Sequence, residues 1–366
     1  MSGLRVLLTA DAVGGVWQYA TDLARALVPL GVEPVLALLG PAPSAAQRAD
    51  AADLRLIETG LPLDWLAQTQ AQVIAAGRAI ADLARLERAD LVQLNAPALG
   101  AGGDFTVPVI AVSHSCLPSW WAAVIDGPVP DDFRWRGALH GEGLRRADLV
   151  VTPSRAFAQA TQRAHRLDRL PTAIHNGRAP LDLPEVAVAG ASFAFTAGRL
   201  WDRGKDVATL DRAAASLGMP LLAAGPTRGP NGEQVTLAHA RGLGMLDEAG
   251  LARCLGQRPV FASAALYEPF GLAVLEAAQA GCPLVLADIP TFRELWDGAA
   301  LFVPAGDAEG FAAAITLAAE NASALGAKAR ERAGRYTVDA IAGATLAAYT
   351  AIAPLPEVRE GRAVAA

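Results

Sequence analysis

The sequence predicts an α/β protein with two doubly wound domains, each built around a parallel sheet with helices on both faces. Apolar runs of strand length alternate with segments of helical periodicity, a pattern typical of βαβ units. The alternation stops in residues 179–192, which contain Pro180, Pro184 and Gly190, and then resumes. The chain has 366 residues, enough for about two domains. We therefore expect residues 179–192 to link two domains that face a central cleft.

The first predicted domain, residues 1–178, opens with a strand at 4–10, a glycine turn at Gly14-Gly15 and a helix that extends to Leu27. Its other elements follow in chain order: strands at 35–39, 91–94, 107–112, 149–151 and 173–174, and helices at 64–88 and 132–147.

The second predicted domain covers residues 193–335 and repeats the rhythm. Its expected strands lie at 193–197, 221–224, 260–262, 284–286 and 301–303, and its helices at 206–217, 271–280 and 308–319. The terminal segment, residues 336–366, is expected to contain a helix at 337–352 that returns to the first domain, followed by a frayed tail.

Composition excludes several classes of protein. The net charge of −6 argues against a nucleic-acid binder, which needs a basic surface. The three cysteines, Cys116, Cys254 and Cys282, are far apart and without histidines at ligand spacing, so neither a disulfide framework nor a zinc site is expected. No stretch reaches the ~18 apolar residues of a membrane span. A cytoplasmic protein without a metal site is predicted.

The glycine pair Gly14-Gly15 lies between the first strand and the first helix. Glycines there allow close backbone approach to a ligand and leave helix N–H groups aimed at an anion. A tight structural turn explains the pair equally well.

The loop 198–206 follows the first strand of the second domain, so Arg199 and Lys205 are expected to project into the cleft. Two cations in this position suit a diphosphate. Lys205 is one of only two lysines in the chain. The alternative is a solvated loop in which Asp202 and Asp206 pair locally.

The segment 267–276 contains two glutamates, Glu268 and Glu276, eight residues apart. If all the intervening residues were helical, the carboxylates would be about 12 Å apart along the axis, too far for a hydrolase pair. Two separate contacts along an extended ligand fit better, although a capping and a surface glutamate remain the alternative. The predicted helix start offers N–H groups to an oxyanion or a sugar hydroxyl, namely those of Phe270, Gly271 and Leu272.

Together the glycine pair, the cationic loop and the glutamate pair resemble a retaining glycosyltransferase of family 4, which has the GT-B fold. The resemblance covers nearly the whole chain, and its specific part is the E-x7-E element from Glu268 to Glu276. It implies that Arg199 and Lys205 hold the donor diphosphate with Gly14 and Gly15 close by. It also implies that Glu276 accepts hydrogen bonds from the ribose.

The resemblance implies further contacts around the donor. Glu268 and the N–H groups after it would touch the transferred sugar, and the base would rest against backbone near Gly244-Met245-Leu246. No metal or other cofactor is implied, because the two cations and the helix terminus would stabilise the leaving diphosphate.

Acceptor-side residues are sought at the end of the strand 107–112. By the same resemblance His114 contacts the transferred sugar or orients the acceptor; the alternative is a structural histidine. Trp120 and Trp121 offer aromatic faces to a sugar ring, although a core or lid role is the more common use of such a pair. The acceptor itself is expected to be a hydroxyl compound: a sugar, a lipid-linked sugar or a small metabolite.

Two features stand apart from the motif. Residues 133–170 carry eight arginines against three acidic residues, which we interpret as a solvated helical face rather than a membrane-binding surface. Arg178 lies where many family members have a small apolar residue followed by aspartate.

The predicted function is transfer of a sugar from a nucleoside diphosphate donor to a hydroxyl acceptor, with retention and without metal. Three rivals remain: a nucleotide-sugar epimerase of the same fold, a nicotinamide-dependent oxidoreductase and a non-catalytic sugar-nucleotide binding protein. The oxidoreductase is disfavoured because no G-x-G-x-x-G fingerprint occurs at a strand-to-helix turn.

Overall fold

A computed structural model describes residues 3–125, 127–184, 193–230 and 232–353, and contains two fully parallel sheets. The first sheet has seven strands: β1 (Leu4–Asp11), β2 (Val32–Leu39), β3 (Arg55–Glu58), β4 (Leu91–Leu94), β5 (Val109–Val112), β6 (Leu149–Thr152) and β7 (Thr172–Ala173). Their order is β3-β2-β1-β4-β5-β6-β7. The order reverses between β1 and β4, where open α/β sheets bind ligands.

Helices cover both faces of this sheet, which explains why its central strands are buried and mostly apolar. They are α1 (Gly15–Leu27), α2 (Ala45–Asp50), α3 (Gln70–Leu86), α4 (Leu117–Val124), α5 (Asp131–Arg146) and α6 (Arg155–His165). One core contains Leu8, Leu23 and Leu36, and a second, on the other face, contains Leu7, Ile80 and Val92.

The second sheet has six strands: β8 (Ala194–Ala197), β9 (Leu221–Ala224), β10 (Arg241–Gly244), β11 (Val260–Ser263), β12 (Leu284–Ala287) and β13 (Leu301–Val303). Their order is β10-β9-β8-β11-β12-β13. The covering helices are α7 (Val207–Ala214), α8 (Glu248–Gly256), α9 (Leu272–Ala280), α10 (Pro290–Trp296), α11 (Ala308–Glu320) and α12 (Ala322–Ala333). The predicted fold class, two parallel α/β domains, is confirmed.

The last helix, α13 (Val338–Ile352), packs into the core of the first sheet's domain. Ile341 and Tyr349 are buried there, and the Tyr349 hydroxyl donates to Oε1 of Gln93 over 2.6 Å. The chain therefore crosses between the domains twice. None of the described helices is long and apolar enough to span a membrane.

Several predicted boundaries are wrong for local reasons. The helix expected at 64–88 begins only at Gln70, because Thr69 and Gln72 form a capping box there. Strands β3 and β10 are missing from the prediction, since both are short and partly exposed at sheet edges. Of the predicted linker, residues 185–192 lie outside the described residues, as does the tail after Ala353.

The two domains touch along the carboxyl edges of their sheets. The hydroxyl of Ser154 donates to the carbonyl oxygen of Pro269 over 2.7 Å. The hydroxyl of Tyr267 accepts from the N–H of Cys116 at 3.2 Å and lies 2.9 Å from the hydroxyl of Ser119. Glu294 accepts from the N–H of Arg155 at the start of α6 over 2.9 Å. These contacts join the segments that follow β5 and β6 to the segments that follow β11 and β12.

Candidate functional site

Two helix N-termini, one from each domain, meet at this junction. Helix α1 begins after Gly14, with φ 83°, and α9 after Gly271, with φ 94°; neither helix has a side-chain cap. A Cβ on Gly15 would lie 3.2 Å from Cδ1 of Leu272, so the two starts are in contact. The first N–H groups of a helix lack internal partners and carry partial positive charge. The junction therefore favours an anion.

Lys205 and Glu268 form an ion pair between Nζ and Oε2, close to the start of α9. Their side chains are only 23% and 14% exposed. Lys205 ends a short 3-10 turn that Asp202 caps through the N–H of Gly204. Glu268 lies in the loop before α9, so the fully helical path behind the 12 Å estimate does not exist. The pair places a partly buried ammonium beside the start of α9.

Asp202 ties the cationic loop to the first domain. Its carboxylate lies 3.3 Å from Nη2 of Arg199 and accepts from Nε1 of Trp120 over 3.1 Å. The Arg199 side chain remains 56% exposed, with its guanidinium 5.8 Å from the ring of Trp201. The local pairing of Asp202 that the sequence offered as an alternative therefore exists, yet it leaves most of the Arg199 side chain accessible.

Asp11 at the end of β1 is a buried acid that the sequence analysis did not select. It accepts from the N–H of Val13 over 2.8 Å. Burial raises its pKa to about 6; the carboxylate of Asp64 adds to this rise and the guanidinium of Arg199 opposes it. Asp11 thus lies within the field of a cation from the other domain. The sequence contained this signal, because an acid that ends an apolar strand lies at the carboxyl edge of the sheet, where open α/β sheets bind ligands.

His114 is held as a neutral imidazole with a defined tautomer. Asn95 donates its Nδ2 to the carbonyl oxygen of Thr9 over 2.7 Å, which turns its Oδ1 towards Nε2 of His114 at 3.0 Å. Nε2 must then carry the proton, and Nδ1 keeps a lone pair. Burial lowers the pKa of His114 to about 4. At neutral pH the ring can accept a hydrogen bond from a hydroxyl but brings no positive charge.

The two tryptophans of α4 have different surroundings. The Nε1–H of Trp120 donates to the carboxylate of Asp202 in the second domain. The Nε1–H of Trp121 donates to the carbonyl oxygen of Gly127 over 3.0 Å. Trp120 therefore links the two domains through its indole N–H. A stacking role towards an acceptor sugar stays a prediction for both residues.

Two donor-side residues are placed as follows. Met245 lies in the loop after β10 with 78% of its surface exposed, next to Gly244, which has a positive φ of 70°. The Phe270 ring is buried against Tyr336, 5.6 Å between centroids, so only its backbone is available to a ligand. A contact of Met245 with the donor base stays a prediction.

Glu276, in the second turn of α9, is buried in a cluster of charges. Nε of Arg178 lies 2.5 Å from its Oε1, although not aligned for a hydrogen bond. The same guanidinium lies 3.5 Å from Glu248 and 4.0 Å from Asp22. Burial raises the pKa of Glu276 to about 7, against the opposing effect of Arg178. The sequence marked Arg178 as unusual but contained no sign of this contact.

Two family models match the chain and together span most of it. The model described as Glycosyltransferase Family 4 matches residues 13–179, and the one described as Glycosyl transferases group 1 matches residues 193–321. The chain belongs to glycosyltransferase family 4. The boundary between the two matches falls in the stretch that separates the two sheets, and the family resemblance stated from the sequence is confirmed.

Other family 4 proteins are similar to this chain. The phosphatidyl-myo-inositol mannosyltransferase of Mycolicibacterium smegmatis is 33% identical over 120 residues, which is 31% of either chain. This chain therefore matches under a third of that curated relative's length.

Solved structures share the fold over nearly the full length. Sucrose-phosphate synthase from Thermosynechococcus elongatus has a TM-score of 0.76 at 19% identity, covering 95% of this chain and 98% of its own. Anabaena HepE, solved in complex with UDP-glucose, has a TM-score of 0.72 at 19% identity, covering 95% and 99%. The fold of this family 4 chain is GT-B.

Proposed function

We propose that this chain is a retaining glycosyltransferase that moves a sugar from a nucleoside diphosphate donor to a hydroxyl acceptor. The observation that carries the proposal is the meeting of the uncapped starts of α1 and α9 beside Lys205 and Arg199. A diphosphate has the charge and the acceptor atoms that such a site needs.

The donor would lie along the second domain. Lys205 and Arg199 would bind the diphosphate oxygens, and Gly14 and Gly15 would let backbone approach them closely. Glu276 would accept from the ribose hydroxyls, while Glu268 and the N–H groups at the start of α9 would contact the transferred sugar. The nucleobase would rest near Met245. The complex of the structural neighbour HepE with UDP-glucose supports a nucleotide sugar as the donor class.

The reaction would proceed on one face of the sugar. The bond from the anomeric carbon to the diphosphate oxygen breaks as a bond to the acceptor oxygen forms, and the acceptor proton passes to the leaving phosphate. Negative charge grows on the diphosphate during this step. This charge would be stabilised by Lys205, Arg199 and the two helix starts. Because these groups are already in position before the reaction, they would lower the barrier without reorganisation. The products are a glycoside and a nucleoside diphosphate.

Metal independence is part of the proposal. The two cations and two helix starts supply the positive field that a divalent ion provides in other transferases. Among the described residues, no group of three or more His, Cys, Asp or Glu is arranged to hold a metal ion.

The acceptor would enter from the first domain. Neutral His114 can accept a hydrogen bond from a sugar or acceptor hydroxyl through Nδ1. Trp120 and Trp121 remain the proposed aromatic contacts, and Asp11 adds a carboxyl group near the same edge. A hydroxyl compound such as a sugar, a lipid-linked sugar or a small metabolite fits this set. We further propose that the protein acts in the cytoplasm.

Two measurements test the function. A thermal-shift panel of UDP, GDP, ADP and their sugar conjugates should give one base that stabilises the fold, by about 2.7 kcal/mol at ~100 times its dissociation constant. Mass spectrometry of an acceptor-free incubation should then find slow release of free sugar and nucleotide. An epimerised donor would indicate the epimerase instead, and no stabilisation by any nucleotide would contradict the proposal.

A further inference from the structure

Arg178 is a buried arginine on the segment after β7. Its side chain is 7% exposed, and it lies between Glu276 of α9, Glu248 of α8 and Asp22 of α1. Asp22 also accepts from the backbone N–H of Ala179. The guanidinium is therefore fixed between helices of both domains.

We propose that Arg178 is a positioning residue for the donor: through its ion pair it favours the ionised form of the Glu276 carboxylate and orients it towards the ribose hydroxyls. The proposal rests on the donor role proposed above for Glu276. Among the described residues, Arg178 engages Oε1 of Glu276, which leaves Oε2 to accept from a hydroxyl. A charged oxygen is the stronger acceptor.

The charge balance around Glu276 explains why this chain needs the arginine. Burial alone drives the carboxyl towards its neutral form, and the neighbouring acids Glu248 and Asp22 push in the same direction. Arg178 is the one cation that acts against them among the described residues. The pKa of Asp22 is in turn lowered by the charge of Arg25 and raised by that of Asp50.

Helix α12 also packs on α9, and its charged groups are not among those that shift the pKa of Glu276. Arg330 of α12 donates to the carbonyl oxygen of Ala280 over 2.8 Å, at the opposite end of α9. The ionisation of Glu276 therefore depends on Arg178 from the linker, Glu248 from α8 and Asp22 from α1.

Two substitutions should shift the pH dependence of donor binding in opposite directions. Arg178→Met keeps an unbranched side chain as far as the position of Nε and removes the charge, so the pKa of Glu276 rises and the carboxylate is lost at a higher pH. Glu248→Gln removes a like charge from an exposed side chain, so the pKa of Glu276 falls. Arg253→Met, on the same helix as Glu248, is the matched control for the loss of one positive charge.

The experiment is calorimetric titration with whichever of UDP, GDP and ADP binds the wild type, from pH 6 to 9. For Arg178→Met we expect a Kd about five- to tenfold higher than wild type at pH 7, with the gap closing by pH 9. Glu248→Gln should extend tight binding to lower pH. Arg253→Met should follow the wild-type profile.

The outcomes separate this inference from the proposed function. A wild type that binds none of the three nucleotides would overturn both. If the wild type binds a nucleotide but both Glu248→Gln and Arg178→Met follow the wild-type pH profile, only the role of Arg178 is overturned. If Arg178→Met does not fold, Arg178→Gln, which also removes the charge, replaces it in the same titration.

Discussion

Nζ of Lys205 contacts the carboxylate of Glu268, 63 residues further along the chain, at the start of α9. Each residue thereby keeps the other in place before any ligand arrives. An ammonium has three donors, so Lys205 can hold Glu268 and a diphosphate oxygen together.

The first prediction concerns Lys205. Lys205→Ala should reduce turnover at least about a hundredfold, since a charge-assisted contact that strengthens as the diphosphate leaves contributes ~3 kcal/mol or more. Steady-state kinetics checks this. Lys328→Ala, at the only other lysine and on the exposed face of α12, is the control. A folded Lys205→Ala protein with nearly normal kcat/KM would contradict the assignment.

The second prediction separates the two glutamates. Ribose hydroxyls change little during transfer, so Glu276→Gln should act chiefly on the KM for the donor. Glu268 touches Lys205 and the proposed sugar position, so Glu268→Gln should act chiefly on kcat. Kinetics at saturating acceptor, with donor varied, distinguishes these effects. Equal changes of both parameters in both variants would mean that the roles are wrongly assigned.

The fold was predictable because its signal is local and repeated. Apolar runs mark the central strands, and 91–94 and 221–224 were predicted to the residue. The edge strand Arg241–Gly244 escapes this signal, because a half-exposed strand with glycines shows no apolar run. The start of α3 was misplaced because the capping box at Thr69 outweighs the apolar pattern before it.

The site was only partly accessible from sequence. Arg199, Lys205 and Glu268 could be selected from their loops, because a loop after a parallel strand reaches the cleft wherever the strand lies. The contact of Arg178 with Glu276 joins residues 98 positions apart, and the link from Trp120 to Asp202 spans 82. Such pairs depend on how the two domains dock, which no local pattern encodes.

The third prediction concerns stability and pH. His165 stacks on His140, 5.0 Å between centroids, and its buried Nε2 has no hydrogen-bond partner among the described residues. Burial lowers its pKa to about 4, below the ~6.5 of an unfolded histidine. As the pH falls from 6.5 to 4 only the unfolded state takes up this proton, so wild-type stability is lost across that window.

His165→Phe removes the titrating ring while keeping its size. We compare the free energy of unfolding of the variant with that of the wild type at each pH. The difference, variant minus wild type, should be about 1–3 kcal/mol larger at pH 4 than at pH 7. Urea denaturation at several pH values measures it. His239→Gln, at an exposed histidine, is the control. A difference between His165→Phe and wild type that does not vary with pH would contradict the buried neutral state.

The central claim, sugar transfer with retention from a nucleoside diphosphate donor, is tested most directly by the anomeric configuration of the product. His114 has no aspartate or glutamate beside it in sequence to serve as an inverting base, and in the proposed donor pose the cations would lie on the leaving-group side. NMR measurement of the one-bond carbon–proton coupling at the anomeric carbon distinguishes the two configurations. An α-linked donor should yield an α-linked product; a β-linked product would contradict the account.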